Sequence, residues 1–217
     1  PDNLKIENYF ELHPNTVWQE HYQAYEVRLQ QLDQQPRPLI DFMARLKSTR
    51  LGLRFEHLLW FWLQDDDYHP YQLLGHSIQK IAGAITLGEL DFLLLNKQTQ
   101  EIEHWEVALK YYLGENELNL SEWFGLNRQD TLQRKLRHFT QRQFQFSETS
   151  QYTIRRKLAV MKGQLYLPEP HYASSIPEWI NTSRRLGQWG TIIPVLPYYR
   201  LQRHEWICPD QHPSSQT

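Results

Sequence analysis

The residues of this chain that could do chemistry gather in one stretch, TLGELDFLLLNKQTQEIEHWEVALKYYL, from Thr86 to Leu113. Leu90–Leu95 is apolar and strand-length, Asn96–Glu101 is polar, and Ile102–Tyr112 is rich in aromatic and branched residues, the pattern of a hairpin. If the arms pair symmetrically about the turn, Leu95 faces Ile102, and the register sets Asp91 opposite Glu106, Glu89 opposite Ala108 and Leu87 opposite Lys110. Side chains alternate with period two, so Glu89, Asp91, Glu106 and Lys110 share one face. Opposed residues lie roughly 5 Å apart at Cβ, where two like charges are destabilising. A divalent cation, helped by the lysine, is the simplest compensation. The structural alternative is a solvated sheet face with a cross-strand ion pair.

The elements that would position these groups follow from the flanking sequence. A polar helix is expected over Thr16–Gln34 and a second from Pro38 or Leu39 to Leu46. Leu51–Leu63, LGLRFEHLLWFWL, is a strongly apolar helix carrying Glu56, a carboxylate that is costly in such surroundings without a partner. Tyr71–Ile81 reads as a strand leading into the hairpin, and Gly114–Asn127 as a loop. Gln129–Phe144 reads as an amphipathic helix with Leu132, Leu136 and Phe139 on one side and Arg134, Lys135, Arg137 and Arg142 on the other. Tyr152–Leu167 is strand material with a turn or bulge near Lys162-Gly163, Pro177–Leu186 a short helix, and Thr191–Leu201 strand-like sequence broken by prolines. The final PDQHPSSQT reads as a disordered end.

A buried helix followed by a hairpin with Asp on one arm and Glu plus Lys on the other resembles the PD-(D/E)XK nuclease superfamily. GELDFLL followed by WEVALKYYL looks like one of its uncharacterised bacterial families. The resemblance covers roughly Leu51–Phe146. It implies an α/β fold with a restriction-endonuclease-like core (helix, three-stranded meander, helix, strand), here preceded by extra helices. It also implies Asp91, Glu106 and Glu56 as ligands of Mg²⁺ or Mn²⁺, Lys110 as the catalytic lysine, and phosphodiester hydrolysis of nucleic acid, DNA before RNA. Arg134, Lys135, Arg137 and Arg142, with Arg155, Arg156 and Lys157, would then face the phosphate backbone. Glu89 would support the metal site or pair with Lys110. The sequence departs from the superfamily in one place. Its usual Glu-x-Lys spacing would put the lysine at position 108, which is Ala108 here; Lys110 lies two residues further, on the same face but about 6.6 Å along the strand. The alternative is a catalytically inactive nuclease-fold module that binds nucleic acid or protein.

Composition bounds these readings. The 217 residues are expected to form one domain, with the nuclease-like core over about 50–167 and an extension over 168–217. Net charge is −2, so nucleic-acid binding must come from a local patch. Cys208 is the only cysteine, which excludes an internal disulfide framework and a thiolate zinc site and suits a reducing cytoplasm. The histidines show no zinc-helix spacing, no glycine-rich phosphate loop occurs, and no stretch has the apolar length of a membrane span. The expected protein is cytoplasmic, binds nucleic acid rather than membrane, and is a possible homodimer.

Overall fold

A computed structural model of the chain describes residues 10–12, 14–169, 176–182 and 184–192. Helix α1 spans Asn15–Gln34, α2 Arg37–Met43 and α3 Leu51–Gln64. Strands β2 (Tyr71–Ala82), β3 (Ile85–Asn96) and β4 (Glu101–Gly114) then form an antiparallel meander. Helix α4 (Leu132–Gln141) crosses over to β6 (Arg156–Pro168), which pairs in parallel with β4. The short strands β1 (Glu11–Leu12) and β7 (Gly187–Trp189) pair in parallel with β6, and β5 (Trp123–Phe124) pairs with the end of β4. The result is a mixed seven-stranded sheet in the order β1-β6-β4-β3-β2, in an α/β fold.

Each face of the sheet is apolar and covered by helix. Phe92, Leu94, Trp105, Leu158 and Val160 pack against Leu59 and Leu63 of α3, with Trp18 of α1 over them. On the other face, Ala108, Tyr112 and Ala159 meet Leu132, Leu136 and Phe139 of α4, together with Phe144. Helix α4 starts at Leu132, three residues later than the periodicity predicts, because the Thr131 side chain accepts from the Arg134 amide and caps it there. It ends at Gln141, and a 3₁₀ turn over Gln143–Gln145 follows.

The turn or bulge expected near Lys162-Gly163 does not form: β6 runs straight through it, with Leu109, Lys110 and Tyr111 of β4 paired one-to-one with Lys162, Gly163 and Gln164. Gly163 has φ +140°, and a Cβ on it would lie 1.6 Å from the Lys110 carbonyl oxygen, so only glycine lets β6 stay against β4. The expected helix over Pro177–Leu186 does not form: the described residues there make turns that return the chain to β7. The chain end from residue 193, including most of the strand-like sequence expected over Thr191–Leu201, lies outside the described residues, as does Cys208.

Candidate functional site

The β3–β4 ladder pairs Leu95 with Ile102 and runs to Phe92 opposite Trp105. This is the register read from the sequence, and it places Asp91 and Glu106 on the next rung. There the ladder stops. Beyond this point β3 stays with β2, Glu89 pairing with Gln79, while β4 stays with β6, Glu106 pairing with Ala159. The sheet therefore forks, and the expected pairings of Glu89 with Ala108 and of Leu87 with Lys110 are not made. An Asp91 carboxylate oxygen spans the split by accepting the Val107 amide at 2.7 Å, in place of a ladder bond.

Because Asp91 and Glu106 alternate with Phe92 and Trp105, both point to the α4 side. The segment after α4 fills the fork. Gln143 donates to Glu106 Oε2, Gln145 donates to the Leu87 carbonyl at 3.3 Å, and the Phe146 ring covers Gly88. Glu106 is fully buried, and its Oε1 lies 2.7 Å from Nε2 of the equally buried His104. Burial holds His104 down at about 4, so it is a neutral hydrogen-bonding partner and not a counter-charge.

Burial and then the Glu106 charge push the Asp91 carboxyl up to about 7. Burial likewise pushes Glu106 up to about 8, against the pull of the Lys135 charge. Two carboxylates are thus held together, largely out of water, where their negative charges are undercompensated. Hard oxygen donors without thiolate suit Mg²⁺ or Mn²⁺, and Mg²⁺ is commonly bound through one or two carboxylates with water and substrate phosphate completing its shell. The donor types suit such an ion, while both Glu106 oxygens are engaged by His104 and Gln143. No group of three or more His, Cys, Asp or Glu is arranged to hold a metal among the described residues.

The remaining expected site residues distribute differently. Glu56 lies on the opposite face, its Oε1 3.0 Å from Nε2 of His76, whose ring stacks on Trp60. Its charge still reaches Asp91 and helps raise it, but it is not a third member of the pair. Lys110 ion-pairs with Asp130, which also accepts from the Tyr112 hydroxyl at 3.3 Å. A cation whose charge acts on Glu106 is Lys135, expected on the solvated side of α4 but turned inward. Its Nζ donates to Gln143 Oε1 at 2.8 Å, one amide away from Glu106, and lies 4.0 Å from the Phe139 ring centroid. Burial, followed by the nearby Lys110 charge, brings its ammonium down to about 8.

Arg134, Arg137 and Arg142 are exposed along the outer side of α4, where they line a shallow hollow with His138. Arg155 is exposed, whereas Arg156 pairs with Glu11 and the buried Glu103, and Lys157 donates to the Phe144 carbonyl at 2.6 Å. The residues that sequence reasoning missed are His104 and Gln143. His104 carries a weak signal, two residues before Glu106 and hence on its face. Gln143, 37 positions from Glu106, carries none.

The chain belongs to the family described as Domain of unknown function (DUF1853), whose model matches residues 5–217. Neither the curated proteins nor the solved structures contain a match to it. No helix among the described residues is long and apolar enough to cross a membrane.

Proposed function

We propose that this protein is a metal-dependent phosphodiesterase of the PD-(D/E)XK nuclease type, acting on nucleic acid, with DNA the first substrate to test. One observation carries the reading: the sheet forks just past the Phe92–Trp105 rung, where Asp91 and Glu106 come next on the two arms, and Lys135 is an inward cation linked to Glu106 through Gln143. The order helix, antiparallel meander, crossover helix and parallel strand supports the same assignment. Asp91 and Glu106 would hold Mg²⁺ or Mn²⁺, which when bound polarises a phosphate and acidifies coordinated water.

The chain's own groups do the rest. Lys135, held by Gln143, offers an ammonium donor to a phosphate oxygen on which charge accumulates during attack. Its lowered pKa also suits proton delivery to the departing oxygen near neutral pH. Lys110, held by Asp130, maintains the wall of the site. The exposed arginines of α4 supply the local positive surface that a net charge of −2 does not.

The test is Mn²⁺ calorimetry on the wild type and on the Asp91→Ala/Glu106→Ala double variant, followed by cleavage of DNA and RNA. Mn²⁺ binding is expected in the wild type and lost in the double variant. Lys135→Ala should keep Mn²⁺ binding and lose roughly 10²- to 10³-fold in turnover, the scale for removing a transition-state donor. Absence of Mn²⁺ binding together with absence of cleavage sinks the proposal. A second reading, an inactive nucleic-acid-binding module, is favoured by the engagement of both Glu106 oxygens with His104 and Gln143. It predicts nucleic-acid binding that is indifferent to Mn²⁺ and without turnover.

A further inference from the structure

Two hollows meet at Lys110. One is basic and open, at the start of α4, lined by Arg134, Lys135, His138 and the Lys110–Asp130 pair. The other is an apolar cleft of about 150 Å³ between the second half of β6 and the turns before β7. Its walls are Tyr112, Met161, Leu165, Trp179 and Leu186, with Lys110 and Arg184 also lining it. Tyr112 joins the two spaces, since its ring lines the cleft and its hydroxyl donates to Asp130. Trp179 is half-buried and braced edge-on by the fully buried Trp123, with ring centroids 5.9 Å apart, so its orientation is set before anything binds.

A cavity of this volume and apolarity accommodates a single aromatic ring. Its lining includes the cations Lys110, Lys162, Arg184 and Arg185, and the basic hollow adjoins it at Lys110, a combination that complements a planar base attached to a phosphate. A base within a duplex cannot enter, because it is stacked and paired; one in a single strand, or one flipped out, can.

We propose that this cleft is a nucleobase subsite, with Trp179 its aromatic wall, and that the protein takes single-stranded or locally unpaired nucleic acid in preference to intact duplex. The inference rests on the nucleic-acid reading of the α4 face but not on metal binding or turnover.

The test is fluorescence anisotropy of the full chain with a short labelled oligo-dT and a blunt hairpin duplex, in EDTA. Oligo-dT should bind more tightly than duplex. Trp179→Ala should weaken oligo-dT roughly tenfold, the scale of one lost aromatic stack, and leave the duplex affinity in place. Trp179→Phe should retain most of the preference. Leu186→Trp, which fills the cleft while leaving Trp179 in place, should abolish the preference, and it decides the matter if Trp179→Ala does not fold. If the wild type binds both probes but the preference is absent, or survives Leu186→Trp, the subsite is refuted and the nucleic-acid reading stands. If the wild type binds neither probe, the nucleic-acid reading fails and takes the subsite with it.

Discussion

Replacing Asp91 with Asn should make the protein more stable at about pH 8 and leave it unchanged at about pH 4. The substitution removes the charge but keeps an oxygen that can accept the Val107 amide, so the splint across the fork survives. One pKa unit corresponds to about 1.4 kcal/mol, so a carboxyl carried from 3.8 to about 7 opposes folding by about 4 kcal/mol once it is ionised in both states. The sign follows from proton binding. The folded protein holds this proton up to about pH 7 and the unfolded chain releases it near 4, so Asp91's contribution is complete below 4 and is lost as pH rises to 7. Structural relaxation around the fork brings the expected gain for Asp91→Asn at pH 8 to roughly 2–4 kcal/mol, or about 5–15 °C in Tm for a chain of this length. Asp91→Ala removes the acceptor as well and leaves the Val107 amide without its partner, a cost of about 1–3 kcal/mol that is visible at acid pH, where no charge is relieved. Urea unfolding in EDTA, followed by tryptophan fluorescence at several pH values, measures all of this. The reasoning is refuted if Asn and wild type coincide at pH 8, or if Asn is equally stabilising at both pH extremes. Adding Mn²⁺ should stabilise the wild type at pH 8 and leave Asp91→Asn nearly unaffected, because only the native state of the former presents the carboxylate pair.

Other perturbations have equally definite signs. His21 packs 5.9 Å from Trp18 and 5.3 Å from Trp62, ring centroid to centroid, and burial, followed by the His69 charge, lowers it to about 4. The unfolded chain therefore takes up this proton first, and stability should fall by about 3 kcal/mol as pH drops from 6.5 to 4. His21→Phe should flatten that acid limb in the same urea series, and an unaltered limb would count against the assignment. Gly163→Ala should cost at least about 3 kcal/mol, read as a lower urea midpoint or loss of soluble protein, because its Cβ would overlap the Lys110 carbonyl. A midpoint within 1 kcal/mol of wild type would contradict the described β4–β6 contact.

The composition and periodicity of the chain determined a great deal. Period-two patterning about the polar turn gave the hairpin register as far as Phe92–Trp105, and with it the shared face of Asp91 and Glu106 just beyond, because slipping by one residue would turn the apolar residues of β3 away from their helices. Apolar runs and turn residues likewise located α1, α3 and the meander. Three things were decided only in three dimensions. Pairing rules say where a ladder can run but not where it stops, so the fork after Phe92–Trp105 was invisible; it arises because β2 and β6 pull the two arms apart. Helical periodicity placed Lys135 with the arginines, whereas packing of Leu132, Leu136 and Phe139 onto the sheet rotates it toward the carboxylates. Lys110 lies on the expected face, yet Asp130, distant by 20 residues in sequence, holds it in an ion pair. Local sequence determined which groups reach the same face, and the packing of elements remote in sequence determined which of them meet.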